Sequence, residues 1–501
     1  MKKIIIIVIA IALVASAGVG IGVGVGIYQG QPEVVTLNAA VNALEGLSER
    51  QETAPLISLL QGGSIQFSGY YDSAKASGEE HGTKLELSGK LYLSEKELLL
   101  NNLVGTLTEY NGVEKELSGE LYIGQDYSFL SNSEILGGSY GIVRGQTADS
   151  FLDSEYAKGL TEEQKEMIFS ALEFYDSSAD LDMRKEAEKI LERYTKLLFK
   201  SFADNAEFEE DVKRVKLSDE RIESRVITVT LTTEAIAEIL RDLYDQAVED
   251  EALESFFLKY SEYFEDALIA NGALTDGDTV DELYDELMEE AEDAIDSFED
   301  RANEDEGFEF ELVTLKNSSN MCKLTVSSFY KESDYRLFTL DLGKAGAKKT
   351  DKIQLTLGEN AEIYTYEVKE RSDEDFKAQL TYKSAYIEEE ENIFTLSIDR
   401  EKESFRLSIL DGECIIRGGI SQKRGTATLT LDKVTLGEAS YSDGFELTLI
   451  FKSRDKASPS IKSESITSVF QVDSEDTEAW QRKLEEEYER IFKLIAEYIP
   501  Q

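Results

Sequence analysis

The sequence predicts an α+β protein in which two curled antiparallel β-meanders pack against helices, with one N-terminal transmembrane helix before them. Three observations predict this fold class. Apolar and polar residues alternate with a period of two over residues 64–130 and 306–472, as in half-buried strands. Apolar stripes at helical spacing lie between and around these regions. The chain also begins with an uncharged run that is long enough to cross a bilayer.

The N-terminal segment reads MKK followed by an uncharged run over residues 4–28. A helix of about 20 residues spans the hydrocarbon core, so we expect an uncleaved signal anchor that contacts the cell membrane. The next basic residue is Arg50, and the positive-inside rule then places the bulk of the chain outside the cytoplasm. The expected location is the plasma membrane, as a single-pass protein. Alternatively, Ala15-Ser16-Ala17 resembles a signal-peptidase site, and cleavage there would release a secreted protein.

Changes of period predict the organisation of the chain into four parts. After the anchor at 1–28, residues 29–62 form a tether and a helix, with apolar residues at helical spacing. Residues 63–222 contain the first meander and several helices. Residues 223–501 contain further helices, the second meander and a C-terminal amphipathic helix.

The first meander contains two nearly identical segments, ELSGKLYL at 86–93 and ELSGELYI at 116–123. Asn111-Gly112 lies between them and predicts a tight hairpin, because both residues tolerate the positive φ of a type I′ turn. One strand and its turns fill the interval, so the two segments are expected to be alternate strands of one meander, running in the same direction. A repeated ligand site is the alternative interpretation.

The leucines of these strands are expected to face the core, in particular Leu85, Leu87, Leu91 and Leu93. Gly89 and Gly119 lie on the same predicted face. A glycine inside a strand often marks a bend or a close approach of another group. Both glycines are therefore predicted to be packing positions, where the sheet bends or a helix crosses closely.

The helical regions carry recognisable start signals. Thr161 precedes a run of helix formers, and Asp278 or Thr279 precedes an acidic helix. A strand is predicted at 224–232, and the helix after it has an apolar stripe that includes Ile236 and Ile239.

The composition argues against several classes of function. The net charge is −49, whereas a nucleic-acid-binding protein needs a concentrated basic surface. His81 is the only histidine, which excludes a multi-histidine zinc site and makes a Ser-His-Asp or Cys-His centre a poor interpretation. The sequence has no phosphate loop or dinucleotide fingerprint, and the acidic stretch at 275–286 lacks the full calcium-loop pattern. We therefore predict no catalytic, cofactor-binding or metal-binding residue, no cofactor and no nucleic-acid partner.

The two cysteines, Cys322 and Cys414, leave two alternatives open. Outside the cell they could form one disulfide. Each also lies in an apparent strand, so two buried free thiols fit the sequence equally well.

Residues 135–157 and 226–245 carry the stretches ILGGSYGIVRGQTADSFLDSEYA and VITVTLTTEAIAEILRDLYD. In these stretches and in its overall plan the chain resembles signal-anchored extracytoplasmic proteins of Gram-positive bacteria, a family without known catalytic residues. A curled meander on helices is also similar, at the level of the fold, to lipoprotein-carrier-like envelope proteins, which hold acyl chains between sheet and helices. Their lipid-attachment cysteine is missing here, so no site residue is carried over.

These observations together predict a membrane-anchored extracytoplasmic protein that is not an enzyme. Its expected ligand is an apolar or cell-envelope molecule, such as a lipid, held between sheet and helices. The second hypothesis is a purely structural or protein-interaction module at the surface. A carboxylate-based hydrolase is the third, because 101 Asp and Glu residues place some carboxylates near one another in any fold.

Overall fold

In the part of the chain that the computed structural model describes, 21 strands form a large, mostly antiparallel β-sheet, and strands hold more residues than helices. The structure describes residues 32–48, 50, 62–77, 82–94, 96–108, 114–217, 220–261, 279–316, 318, 320–358, 362–372, 374–384, 390–423, 426–437, 439–441, 445–452, 454–472 and 475–486.

The strands are β1 (Gly63–Asp72), β2 (Lys84–Leu93), β3 (Leu98–Thr108), β4 (Glu114–Ile123), β5 (Tyr127–Asn132), β6 (Gly138–Val143), β7 (Glu207–Leu217), β8 (Glu220–Thr232), β9 (Glu306–Leu315), β10 (Met321–Tyr330), β11 (Ser333–Asp341), β12 (Lys352–Leu357), β13 (Glu362–Arg371), β14 (Asp375–Ser384), β15 (Glu391–Asp399), β16 (Ser404–Ile409), β17 (Cys414–Lys423), β18 (Thr426–Leu436), β19 (Ala439–Tyr441), β20 (Phe445–Lys452) and β21 (Thr467–Ser468).

The helices are α1 (Pro32–Ser48), α2 (Ser73–Ser77), α3 (Thr147–Leu152), α4 (Glu155–Lys158), α5 (Glu162–Asp176), α6 (Ala179–Asn205), α7 (Thr233–Val248), α8 (Glu251–Ser261), α9 (Val280–Glu299), α10 (Gly346–Lys349) and α11 (residues 475–486).

The predicted fold class, α+β with two curled meanders packed against helices, is wrong, because strands predominate and belong to one large sheet. Strand β1 pairs on one side with β2, of the first meander, and on the other with β20, of the second. The antiparallel ladder from Tyr71 opposite Phe445 to Ser64 opposite Lys452 therefore joins strands that the sequence assigned to different meanders. This pairing is remote in sequence, and periodicity does not reveal it.

In the described ranges, no helix is both long enough and apolar enough to span a membrane. The longest helices, α6 and α9, carry charged residues along their length. This finding runs against the predicted transmembrane helix, the signal anchor and the single-pass plasma-membrane location inferred from them, so these predictions are withdrawn. Residues 1–28, on which they were placed, lie outside the described residues.

The chain forms two compact units, each assembled from separated stretches. The first comprises residues up to 53, 181–369 and 378–393. Its strands pair antiparallel in the order β7, β8, β9, β10, β11, β12 and β13. The buried core of this unit combines strand residues such as Ile227 with helix residues such as Ile236 of α7 and Ala39 of α1. Helices thus cover one face of the ladder.

The second unit comprises residues 54–180, 370–377 and 394–501. Its strands pair in the order β15, β16, β17, β18, β20, β1, β2, β3, β4, β5 and β6. As predicted, β2 and β4 are alternate strands that flank β3 and run in the same direction.

One face of this second ladder is crossed by residues 454–472, which we call the strap. Ala457, Ile461 and Ile466 of the strap pack against a buried cluster formed by Tyr92, Leu99, Tyr122 and Phe129. Further along the strap, β21 pairs with β6 in parallel. The strap therefore supplies part of the core of a unit whose sheet has few helices of its own.

Candidate functional site

The second unit carries an extended apolar surface on the face of the sheet opposite to the strap. Residues directly opposite each other in an antiparallel pair share a face. One such row runs from Leu447 through Gly69, Leu87 and Gly105 to Leu117. We call the whole surface the leucine face, and its large apolar members are Leu429, Leu431, Leu447, Leu449, Phe451, Ile65, Phe67, Leu85, Leu87, Leu91, Leu100, Leu103, Leu107, Leu117, Leu121 and Leu130.

The leucine face is incompletely covered. None of its large apolar side chains is buried, and Leu85, Leu87 and Leu130 are 48%, 47% and 49% exposed. On the opposite face, Leu99 and Phe129 are each only 2% exposed, because the strap lies over them. The prediction that Leu85 and Leu87 point into the core is therefore wrong. The tyrosine-bearing side of these strands is the one that is buried.

The predicted packing role is confirmed for Gly89. A Cβ atom on Gly89 would lie 2.5 Å from the Cζ atom of Phe67, the residue opposite it on β1. The close approach comes from an aromatic ring of the same sheet and not from a crossing helix. The register of β2 with β3 also shifts between Ser88 and Lys90, an irregularity of the kind that bends a strand, as predicted. At Gly119 a Cβ atom would lie 3.3 Å from the carbonyl oxygen of Ser131, so this glycine also lies in a tight environment.

At Gly105 the leucine face is lower than at the neighbouring leucines, because glycine has no side chain. A Cβ atom there would meet only the Cδ1 atom of Leu87 at 3.9 Å and the carbonyl oxygen of Leu117 at 4.0 Å, which are ordinary contact distances. The row that contains Gly69 and Gly105 alternates leucine with glycine across the strands. The side chain of Leu447 leans over Gly69, where a Cβ atom would lie 3.1 Å from Leu447 Cδ1, so the shallow point of the row is at Gly105.

Polar contacts fix the sheet from the strap side. The carboxylate of Asp455 accepts hydrogen bonds from Ser64 Oγ at 2.6 Å and Lys90 Nζ at 2.9 Å. Burial by itself would raise the pKa of Asp455, but these two donors outweigh it and lower the pKa to about 2. The hydroxyl of Tyr122 donates to Glu97 Oε1 at 2.6 Å, and burial followed by this hydrogen bond raises the tyrosine pKa. The Asp455 contacts join the strap to β1 and β2, and the Tyr122 bond ties β4 to the turn before β3.

Several positions singled out in the sequence lie apart from this surface. Thr279 is the N-cap of α9 and accepts a hydrogen bond from the backbone N–H of Glu282, which confirms one of the two predicted caps. Thr161 caps α5 in the same way. Both cysteines are free, and burial raises the pKa of the Cys322 thiol to about 11. His81 and residues 262–278 lie outside the described residues.

No group of three or more side chains that could hold a metal ion occurs among the residues with described positions. The sequence did not indicate the leucine face, because this surface depends on pairing between strands that are distant in the chain. The alternation in FELTLIFKS and ATLTLDKV correctly indicated strands. It could not indicate that their leucines continue those of β1 and β2.

Comparison of the sequence with known proteins does not assign this chain to a family. No family model and no curated protein matches the sequence. Among solved structures, the chain is similar to a triple mutant of the Rh. blastica porin, with 6% identity over 78% of this chain and 98% of that one, and a TM-score of 0.17. It is also similar to the MucA/MucB complex of Pseudomonas aeruginosa, with 9% identity over 82% of this chain and 92% of that one, and a TM-score of 0.09. Such low scores transfer neither fold nor function, and the expected similarity to envelope proteins goes no further than this.

Proposed function

We propose that this protein is a non-enzymatic binding protein that holds a neutral, long-chain apolar ligand on the leucine face. The observation that carries the proposal is the continuity of the apolar rows across β18, β20, β1, β2, β3 and β4, none of whose large apolar side chains is buried. Single exposed leucines are common on protein surfaces, but a contiguous apolar surface marks an interaction site.

The dimensions of the surface favour an extended ligand. Six strands spaced at about 4.8 Å give the leucine face a width of about 24 Å. An acyl chain in one leaflet of a bilayer extends over about 15 Å. One such chain would therefore fit within the width of the leucine face, with Gly105 at its shallowest point.

The charge of the protein favours a neutral ligand over a fatty acid or an anionic lipid. With a net charge of −49, the protein creates a potential that repels anions. The leucine face offers no basic side chain in its central row to offset that repulsion.

A fluorescence titration tests the proposal. The uncharged probe N-phenyl-1-naphthylamine becomes bright in apolar surroundings, and it should bind the full chain and be displaced by a neutral monoacylglycerol. A variant with Leu87→Ser and Leu117→Ser places two hydroxyls in the central row. Loss of two half-buried leucines should weaken probe binding by about tenfold or more, given roughly 1 kcal/mol or more per side chain.

The matched control is Val212→Ser on β7, because Val212 is a strand residue of the first unit that is 44% exposed. It should leave probe binding unchanged. Circular dichroism must show that all variants keep the strand content of the wild type. If the double variant is folded and binds the probe as the wild type does, the leucine face is not the site. A structural or interaction module would then be the better description.

A further inference from the structure

A pair of arginines stands directly opposed on the strap-side face of the second unit, away from the leucine face. Arg406 on β16 pairs with Arg417 on β17, and the row continues to Ser397 on β15 and Lys433 on β18. Phe405 and Gly418, the adjacent residues of the two arginines, belong to the row of Leu431. Since neighbouring residues of a strand point to opposite faces, the arginines lie on the other side of the sheet.

This opposition is electrostatically unfavourable in the isolated protein. Like charges directly opposite each other on paired strands destabilise a sheet. Neither guanidinium has an ion-pair or hydrogen-bond partner in the part of the chain that the structure describes. The chain contains 101 acidic and only 52 basic residues, so unpaired and adjacent arginines are not explained by a shortage of carboxylates.

The two arginines line a depression of about 540 Å³. A volume of this order suits a small ligand. Lys377 adds a third cation to the lining, and the hydroxyl-bearing residues Ser397 and Ser404 adjoin the arginines. The depression thus combines cationic donors with neutral donors from four strands, β14 to β17.

Carboxylates also line the depression, and they restrict what it can hold. Asp399 is engaged by Lys402 Nζ at 2.5 Å, while Glu370, Asp375 and Asp432 lie around the same space. They would repel a polyanion such as nucleic acid. A ligand with one compact anionic group would avoid most of this repulsion.

We propose that Arg406 and Arg417 together bind the phosphate group of a small ligand. A guanidinium donates two parallel hydrogen bonds to an oxyanion. One such fork already satisfies a planar carboxylate, whereas a phosphate presents further oxygens to a second guanidinium. Binding of the phosphate group would also remove the repulsion between the two arginines, so the site gains stability when it is filled. The proposal rests on the opposite face of the sheet and does not depend on the leucine face.

Thermal unfolding of the full chain in inorganic phosphate tests this site. At constant ionic strength set with sodium chloride, phosphate should raise the Tm of the wild type above its value in chloride alone. Arg417→Gln should remove the phosphate-specific rise and weaken phosphate binding measured by calorimetry by about tenfold or more, because charge-assisted hydrogen bonds are lost. In chloride alone this variant should be as stable as the wild type or more stable, since it relieves the repulsion.

Arg336→Gln provides the matched control, because Arg336 is also an exposed strand arginine but lies on β11 in the first unit. It should keep the phosphate response. If Arg417→Gln does not fold, Arg406→Gln replaces it. The proposal is overturned if phosphate has no effect beyond chloride on the wild type, or if folded Arg417→Gln and Arg336→Gln respond equally.

Discussion

At the scale of single residues, the contact between Phe67 and Gly89 shows how an aromatic ring on one strand can cover a glycine on the next. Phe67 lies across Gly89 on the neighbouring strand, so the ring covers backbone that glycine leaves open. Aromatic residues pack well beside a strand glycine because the ring replaces the missing side-chain contacts. Among the residues of β2 that lie on the leucine face, only Gly89 is buried, whereas Leu85 and Leu87 on the same side are exposed.

We expect Gly89→Val to destabilise the protein by about 1–3 kcal/mol, the usual cost of overpacking. The new Cβ atom would overlap the Phe67 ring, and the ring can move only by giving up its own contacts. Urea-induced unfolding, followed by circular dichroism, measures the change in the free energy of unfolding.

Gly105→Val is the comparison, because a Cβ atom on Gly105 meets its nearest neighbours at 3.9 and 4.0 Å. It should cost clearly less than Gly89→Val. Equal losses for the two variants would show that the cost is a general penalty for replacing glycine in these strands and not overlap with Phe67.

At the scale of elements, the strap determines which face of the sheet is inside. It has little regular structure of its own, yet it is fixed at several points along its length. The backbone N–H of Asp455 donates to the Gly62 carbonyl oxygen at 3.0 Å, and the backbone N–H of Ser460 donates to Glu120 Oε1 at 2.7 Å. Its apolar residues then close the cluster around Tyr122.

The carboxylate of Asp455 should make stability depend on acid pH. Its pKa is about 2 in the folded protein and about 3.9 in an unfolded chain, so the stabilisation is complete above about pH 4 and is lost as the pH falls towards 2. The shift corresponds to a free energy on the order of 2 kcal/mol. Asp455→Asn should lower the stability at neutral pH, and its unfolding midpoint should fall less steeply than that of the wild type between pH 4 and pH 2. If the urea midpoints of the wild type and of Asp455→Asn fall equally steeply between pH 4 and pH 2, the acid dependence does not come from Asp455.

Prediction from sequence succeeded where the signal is local. The hairpin of β3 with β4, the cap at Thr279 and the helix α7 follow from neighbouring residues, and each is confirmed. Strand β7, with the sequence EFEEDVKRVKL, was missed because its charges hide the alternation. Its place in the sheet comes from complete pairing with β8.

The prediction that the leucines of β2 face the core failed for a different reason. Alternation places Leu87 and Tyr92 on opposite faces but does not state which face is covered. That choice is made by the strap, whose sequence has no regular period. The candidate site was therefore not predictable from β2 and β4, and neither was the arginine pair, which requires the register of β16 with β17.

At the scale of the whole molecule, charge is the dominant property. A net charge of −49 over 501 residues makes the compact state of the protein repel itself. Local pairs such as Arg241 with Glu299 offset only a small part of this excess. We therefore expect the stability of the fold to depend strongly on ionic strength.

Raising sodium chloride from about 0.01 M to about 0.15 M shortens the Debye length from about 30 Å to about 8 Å. The Tm should rise, by about 2–4 °C for each kcal/mol of repulsion that is screened. Differential scanning calorimetry in a chloride buffer measures the rise, with sucrose as an uncharged solute for comparison. A Tm that is unchanged or lower at the higher salt concentration would show that ion pairs outweigh the net repulsion.

The pairing of β1 with β20 also has a consequence for the order of events on the ribosome. Ser64 lies opposite Lys452, so β1 emerges long before the strand that completes its second edge. At about 5–20 residues per second, that interval lasts on the order of half a minute. Throughout it the nascent chain presents an open strand edge next to exposed leucines, which is a template for pairing with other chains. The sheet of the second unit can close only after β20 has been translated, and a chain that stops before Phe445 would keep this edge open permanently.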